Sequence, residues 1–179
     1  MNIDKLFDIE TMMAAMETED EVGCVLRIHL MAENVLVNYI DAVKNPETEK
    51  YLGKMRDYGV KMAVAAALGM PKSILQVLFH VNRIRNDFAH RGASNLDAGD
   101  VQNLQRFVDE VGSVRPGYES VKKQGIEYAD GRKFLYSEGG VRTDFIISAM
   151  VFMRDAAFVI VLAAAPKMLK KGELEIVPN

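Results

Sequence analysis

The chain has little that would support disulfide or metal chemistry. Its 179 residues include one cysteine, Cys24, which excludes an internal disulfide and reads as a small buried hydrophobe. The three histidines, His29, His80 and His90, are too scattered for a metal signature. There is no H-E-x-x-H, no C-x-x-C and no glycine-rich phosphate loop, and no serine stands in a nucleophile-elbow context. No metal and no cofactor are therefore expected. A basic excess is also missing. With a net charge of −3 and a pI near 5.7, the chain has no global attraction for nucleic acid, and any such binding must rest on a local basic patch. The first ten residues carry acids where a signal peptide would carry a basic region and an apolar run, so the expected location is cytoplasmic. No internal repeat or low-complexity tract interrupts the sequence.

What is present is apolar periodicity. An apolar content of 49% in a chain of this length predicts one domain, residues 1–179, with a sizeable core. Ile3, Leu6, Phe7, Met12, Met13 and Met16 mark a short first amphipathic helix. Thr18-Glu19-Asp20-Glu21 reads as a capping box opening a long helix to about Lys44, which Asn45-Pro46 ends. On one face of that helix Val22, Val25, Leu26, Leu36 and Ile40 share a sector with His29 and Glu33, polar groups that need partners there. A third helix is predicted from about Glu47 to Leu68, closed by Gly69, with Pro71 as the first residue of the next. Asp97 and Asp100 open another, carrying Val101, Leu104, Phe107, Val108 and Val111 and ended by Gly112.

Between about 113 and 140 the pattern changes. Ile126-Glu127-Tyr128 and Lys133-Phe134-Leu135-Tyr136 flank Asp130-Gly131, the signature of a β-hairpin, here expected as an exposed excursion. Its cations Arg115, Lys122, Lys123, Arg132 and Lys133, interleaved with Tyr118, Tyr128 and Tyr136, suit either single-stranded nucleic acid or a solvated hairpin. The last helix, about Arg142 to Leu169, is long enough to span a membrane, but Arg154 and Asp155 fall in its middle, where a charge costs about 2.5 to 3.5 kcal/mol on insertion scales. It is expected to be a bundle helix, with no membrane involved. The predicted fold is an all-α, up-and-down bundle of five to six helices with a small inserted β-hairpin.

One stretch concentrates the chemistry. Ile74, Val77, Leu78, Val81, Ile84 and Phe88 recur at steps of three and four, predicting an amphipathic helix that runs into Arg85-Asn86-Asp87-Phe88-Ala89-His90. Arg85 falls inside the apolar stripe. On a regular helix His90 stands about 140° away, so one copy of the pair makes a poor site and two copies suggest a composite one.

These residues resemble the R-x4-6-H motif of the HEPN (higher eukaryotes and prokaryotes nucleotide-binding) superfamily, with a polar residue after the arginine. With Leu30-Met31-Ala32-Glu33-Asn34 and the Leu68-Gly69-Met70 turn, the chain is most similar to the mannitol operon repressor branch over roughly residues 20 to 110. The stretch 113–140 has no equivalent there. The resemblance implies a homodimeric, metal-independent endoribonuclease of the kind used as a toxin or defence effector. Arg85 and His90 would be the catalytic pair and Asn86 the polar motif residue; local charge, Arg83, Arg85 and Arg91 against Asp87, adds a positive patch for RNA. It equally implies a non-catalytic regulatory or interaction protein with a protein partner, because that branch is named for transcriptional regulation.

The residues themselves leave both readings open. A histidine near neutral pKa can move a proton at a ribose 2′-hydroxyl or a leaving oxygen while a guanidinium holds the phosphate. Alternatively, Arg85 forms a buried ion pair with Glu33, supported by His29, Asn86 bonds a neighbouring backbone group, and His90 caps its own helix.

Overall fold

The computed structural model describes residues 9–18, 20–91 and 95–170, and at 9, 90, 91 and 167–170 it describes the backbone alone. Among the described residues there are six α-helices: α1 (Ile9–Glu17), α2 (Glu21–Val43), α3 (Tyr58–Ala67), α4 (Lys72–Arg91), α5 (Ala98–Gly112) and α6 (Val141–Lys170). One antiparallel hairpin, β1 (Gly125–Glu127) and β2 (Lys133–Leu135), stands between α5 and α6. The fold is a helical bundle with a small hairpin, as the patterning predicts. Ile3, Leu6 and Phe7 of the expected first helix lie outside the described residues.

Helix starts follow local chemistry. The capping box predicted at Thr18 is displaced by two residues: Asp20 is the N-cap of α2, its extended backbone letting Oδ1 accept from the Gly23 amide at 2.5 Å. Glu21, expected to close that box, instead accepts a hydrogen bond from the Leu96 amide and ties the start of α2 to the loop before α5. α5 opens as predicted, with Asp97 Oδ1 accepting from the Asp100 amide at 2.9 Å.

The predicted helix from Glu47 to Leu68 forms only in its second half. A single 3-10 turn at Glu49–Tyr51 is followed by irregular chain, and Gly53 takes a φ of 64°, a left-handed geometry that a helix cannot contain. α3 therefore starts at Tyr58. It ends at Gly69, whose φ of 88° lets the Met70 amide reach back to the Ala65 carbonyl at 3.0 Å. Pro71 sits one residue ahead of α4 rather than inside it.

Buried side chains from all six helices form one core. α2 and α6 supply much of it. α6 holds a run, Val141–Pro166, apolar and long enough to cross a membrane, yet 67% of an 18-residue apolar window within it is buried inside the bundle, with Phe145, Phe152 and Ile160 fully enclosed.

The stretch after α5 is less of an excursion than its sequence suggests. Asp109, near the end of α5, accepts from the Tyr118 hydroxyl, from Ser120 Oγ at 2.9 Å, from the Val121 amide at 2.9 Å and from Gln105. Val121 is buried as a result. Gly112 is required here, since a Cβ at that position would come within 1.9 Å of the Tyr118 ring. The hairpin pairs Ile126 with Phe134, turns at Gly131 with φ 84°, and buries Tyr128.

Candidate functional site on the motif helix

α4 carries its apolar residues inward: Ile74, Val77, Leu78, Val81 and Ile84 are all buried. This stripe fixes where the polar residues of the same helix point. Arg85 is half-buried on the side that meets α2. Its Nη1 donates to Asn86 Oδ1 at 3.0 Å. Its Nε is buried with no hydrogen-bond partner, and no carboxylate among the described residues lies within ion-pair distance of it.

The expected Glu33–Arg85 pair is therefore not formed. Glu33 pairs with Lys61 of α3, and both side chains are largely enclosed. With α3 starting at Tyr58, Lys61 stands in its first turn and its ammonium reaches Glu33. His29 does face the motif helix. Its Nε2 lies 3.0 Å from Asn82 Oδ1, so Nε2 carries the proton in the neutral ring. The ring packs on Tyr58 at 4.5 Å between centroids, and the Tyr58 hydroxyl donates to the Leu78 carbonyl at 2.9 Å.

Electrostatics match this packing. Burial pulls the His29 pKa below 6.5; the Asn82 contact works against that, and the charge of Arg85 adds to it. The ring is neutral at pH 7. Burial also pushes the Tyr58 phenol well up. The cluster thus presents an uncompensated guanidinium beside a neutral imidazole and two amide side chains, Asn82 and Asn86. Such a group favours an incoming anion, since an ionised donor with nothing to bond is costly to keep desolvated.

α4 stays helical through Arg91, so positions 85 and 90 are about 140° apart around its axis, and position 90 falls within about 20° of both Phe79 and Arg83. That is the outer face, where Phe79 is 59% exposed. The side chains of His90 and Arg91, and Gly92 beyond them, lie outside the described residues. One copy of the helix directs Arg85 inward along α2 and places position 90 on the opposite side.

The other expected nucleic-acid contacts are dispersed. Arg83 is ion-paired with Asp100 and donates to His80 Nδ1 at 3.4 Å, while His80 Nε2 donates to the Asp100 carbonyl at 2.7 Å. Arg132 pairs with Asp130 at 2.7 Å, and Lys133 with Glu127 at 2.9 Å. Lys122 and Lys123 are exposed on the short turn held against α5 and α6, and no contact joins them to Arg85 among the described residues. Asn82, Tyr58 and Lys61 complete the cluster although the sequence reading passed over them. Asn82 had a signal, a polar residue one turn before Arg85 and flanking the apolar stripe. Tyr58 and Lys61 had none, because their place depends on where α3 begins.

Compared with protein-family models, with curated proteins and with solved structures, the chain gives no match in any of the three.

Proposed function

We propose that this chain is a metal-independent endoribonuclease of the HEPN type that acts as a homodimer. The observation that carries the reading is Arg85, a half-buried guanidinium with no carboxylate partner among the described residues and a buried Nε left without a hydrogen bond. In a structural ion pair that charge would be answered from within the protein; here the answering anion is the scissile phosphate. In this reading Arg85 holds the phosphate and offsets the charge that builds on it during attack by the ribose 2′-hydroxyl. His90 takes the hydroxyl proton or returns one to the departing 5′-oxygen, so that a cyclic phosphate forms without a metal. The separation of about 140° between the two positions supports a second copy, which brings the pair together across a two-fold axis.

A second reading has its own support. Arg83, Arg132 and Lys133 are answered by carboxylates in a chain of net charge −3, so of the expected nucleic-acid contacts among the described residues only Lys122 and Lys123 are left for a polyanion. That favours a non-catalytic regulatory protein with the same bundle. Cleavage of mixed RNAs in excess EDTA by wild type, Arg85→Ala and His90→Ala, each checked for folding, separates the two. Loss of cleavage in both folded variants supports the enzyme. A folded wild type that cleaves nothing, or variants that cleave normally, leaves the regulatory reading. Sedimentation tests the dimer, and a strict monomer at micromolar concentration removes the composite site.

A further inference from the structure

α3 and α4 leave an open groove of about 570 Å³ between them on the outer face of the bundle, within the range of small-molecule sites. α3 lines it with Gly59, Ala63 and Ala66, small residues at steps of four and three that leave its backbone thinly covered. From α4 come Leu75 and Phe79, the latter 59% exposed. An aromatic ring left in water beside a concave apolar wall marks surface that gains free energy when it is covered.

The polar groups at this groove are few, and their charges are settled. His80 at its base gives its Nε2 proton to the Asp100 carbonyl, and burial pulls its pKa down, so the floor is neutral at pH 7. Arg83 at one end is neutralised by Asp100. Lys72 at the other end, eleven residues and about 16 Å away along the helix, is exposed and has no carboxylate within ion-pair distance among the described residues. Among the described residues no acidic side chain lines the groove. We propose that it is a binding site for an amphipathic carboxylate, whose acyl chain lies along Ala63 and Ala66 against Phe79 and whose head meets Lys72. A nucleic-acid strand fits less well, because it needs several cations and, among the described residues, the rim offers one that is uncommitted, Lys72. The inference requires no ribonuclease activity, and the groove lies on the face of α4 that also carries position 90.

Isothermal titration of the full chain with dodecanoate, kept below its micellar concentration, tests it. The expected result is saturable one-to-one binding, at least tenfold tighter than that of dodecanol or dodecyltrimethylammonium. Ala63→Trp, at an exposed position, should fill the groove and abolish binding, and Lys72→Glu should weaken it at least tenfold. Leu30→Glu, on the exposed face of α2, should leave it unchanged. Circular dichroism and melting confirm that each variant is folded, and Phe79→Asp replaces Ala63→Trp if that variant is not. The proposal is overturned by absence of saturable binding, by equal affinity for the cationic amphiphile, by binding that survives Ala63→Trp, or by loss in Leu30→Glu. An oligonucleotide that displaces dodecanoate, or a dimer that Ala63→Trp dissociates, would assign the groove to RNA or to a second copy and would equally overturn it.

Discussion

Two regions of this bundle hold half-buried arginines, and they treat them in opposite ways. On α6, Asp155 is 1% exposed and its Oδ1 accepts from Arg115 at 3.0 Å and from Arg154 at 3.1 Å, while its Oδ2 and Arg154 Nη2 are buried without a hydrogen bond. With Asp109, which gathers four donors nearby, it fastens the segment after α5 onto the core. At the α2–α4 contact, Arg85 meets a neutral histidine and an asparagine and, among the described residues, no carboxylate. The difference teaches how to sort cations that look alike in a sequence. An arginine answered by a buried aspartate is part of the scaffold, while one held partly out of water without an anion is available to a ligand.

That contrast can be broken most sharply at Asp155. Asp155→Ala strands two arginines, and the expected loss is about 3 kcal/mol of unfolding free energy, the low end for a broken buried pair because both guanidiniums keep some access to water. Urea denaturation measures it, and a change below about 1 kcal/mol would mean that the pairing holds nothing in place. Asp109→Ala should cost somewhat less, about 2 kcal/mol, by leaving the Val121 amide and its neighbours without an acceptor. Limited proteolysis should then cut between residues 113 and 124, where wild type resists.

A smaller effect follows pH and acts through the histidines of the α4 region, not through the Asp155 cluster. His29 and His80 are both shifted below 6.5, in each case chiefly by burial. The unfolded chain therefore binds protons more readily, so their contribution is complete above about pH 6.5 and is lost as pH falls below it. Melting temperature should drop between pH 7 and pH 5.5, and His29→Gln with His80→Gln should flatten that slope; an unchanged slope would show that neither ring is buried as a neutral group. The smallest change is expected at Arg85. Arg85→Met removes a charge that has no ion-pair partner among the described residues, and stability should move by no more than about 1 kcal/mol. A loss of 3 kcal/mol would reveal a structural partner and erase the contrast with Asp155.

Much of the fold was legible because it depends on local periodicity. The α4 stripe, the Asp97 cap, the Gly69 stop and the Asp130-Gly131 turn are each written within a few residues, and each forms where its pattern places it. The misplaced elements are those decided by competition. Thr18 and Asp20 both offer an N-cap oxygen, and Asp20 takes the Gly23 amide. The helix pattern from Glu47 to Leu68 competes with Gly53, and the glycine prevails until Tyr58.

The candidate site divides along the same line. Sequence alone determined that His29 and Arg85 lie on apolar faces of two helices and need partners, because helix period and the cost of burying polarity require nothing beyond the chain's own order. Which partners they found was decided only in three dimensions. Glu33 took Lys61 and His29 took Asn82, which left Arg85 without a carboxylate among the described residues. A hydrogen bond or ion pair goes to whichever group arrives within about 3 Å in the right direction, and the arrival of Lys61 was set by a helix start that no periodicity could specify.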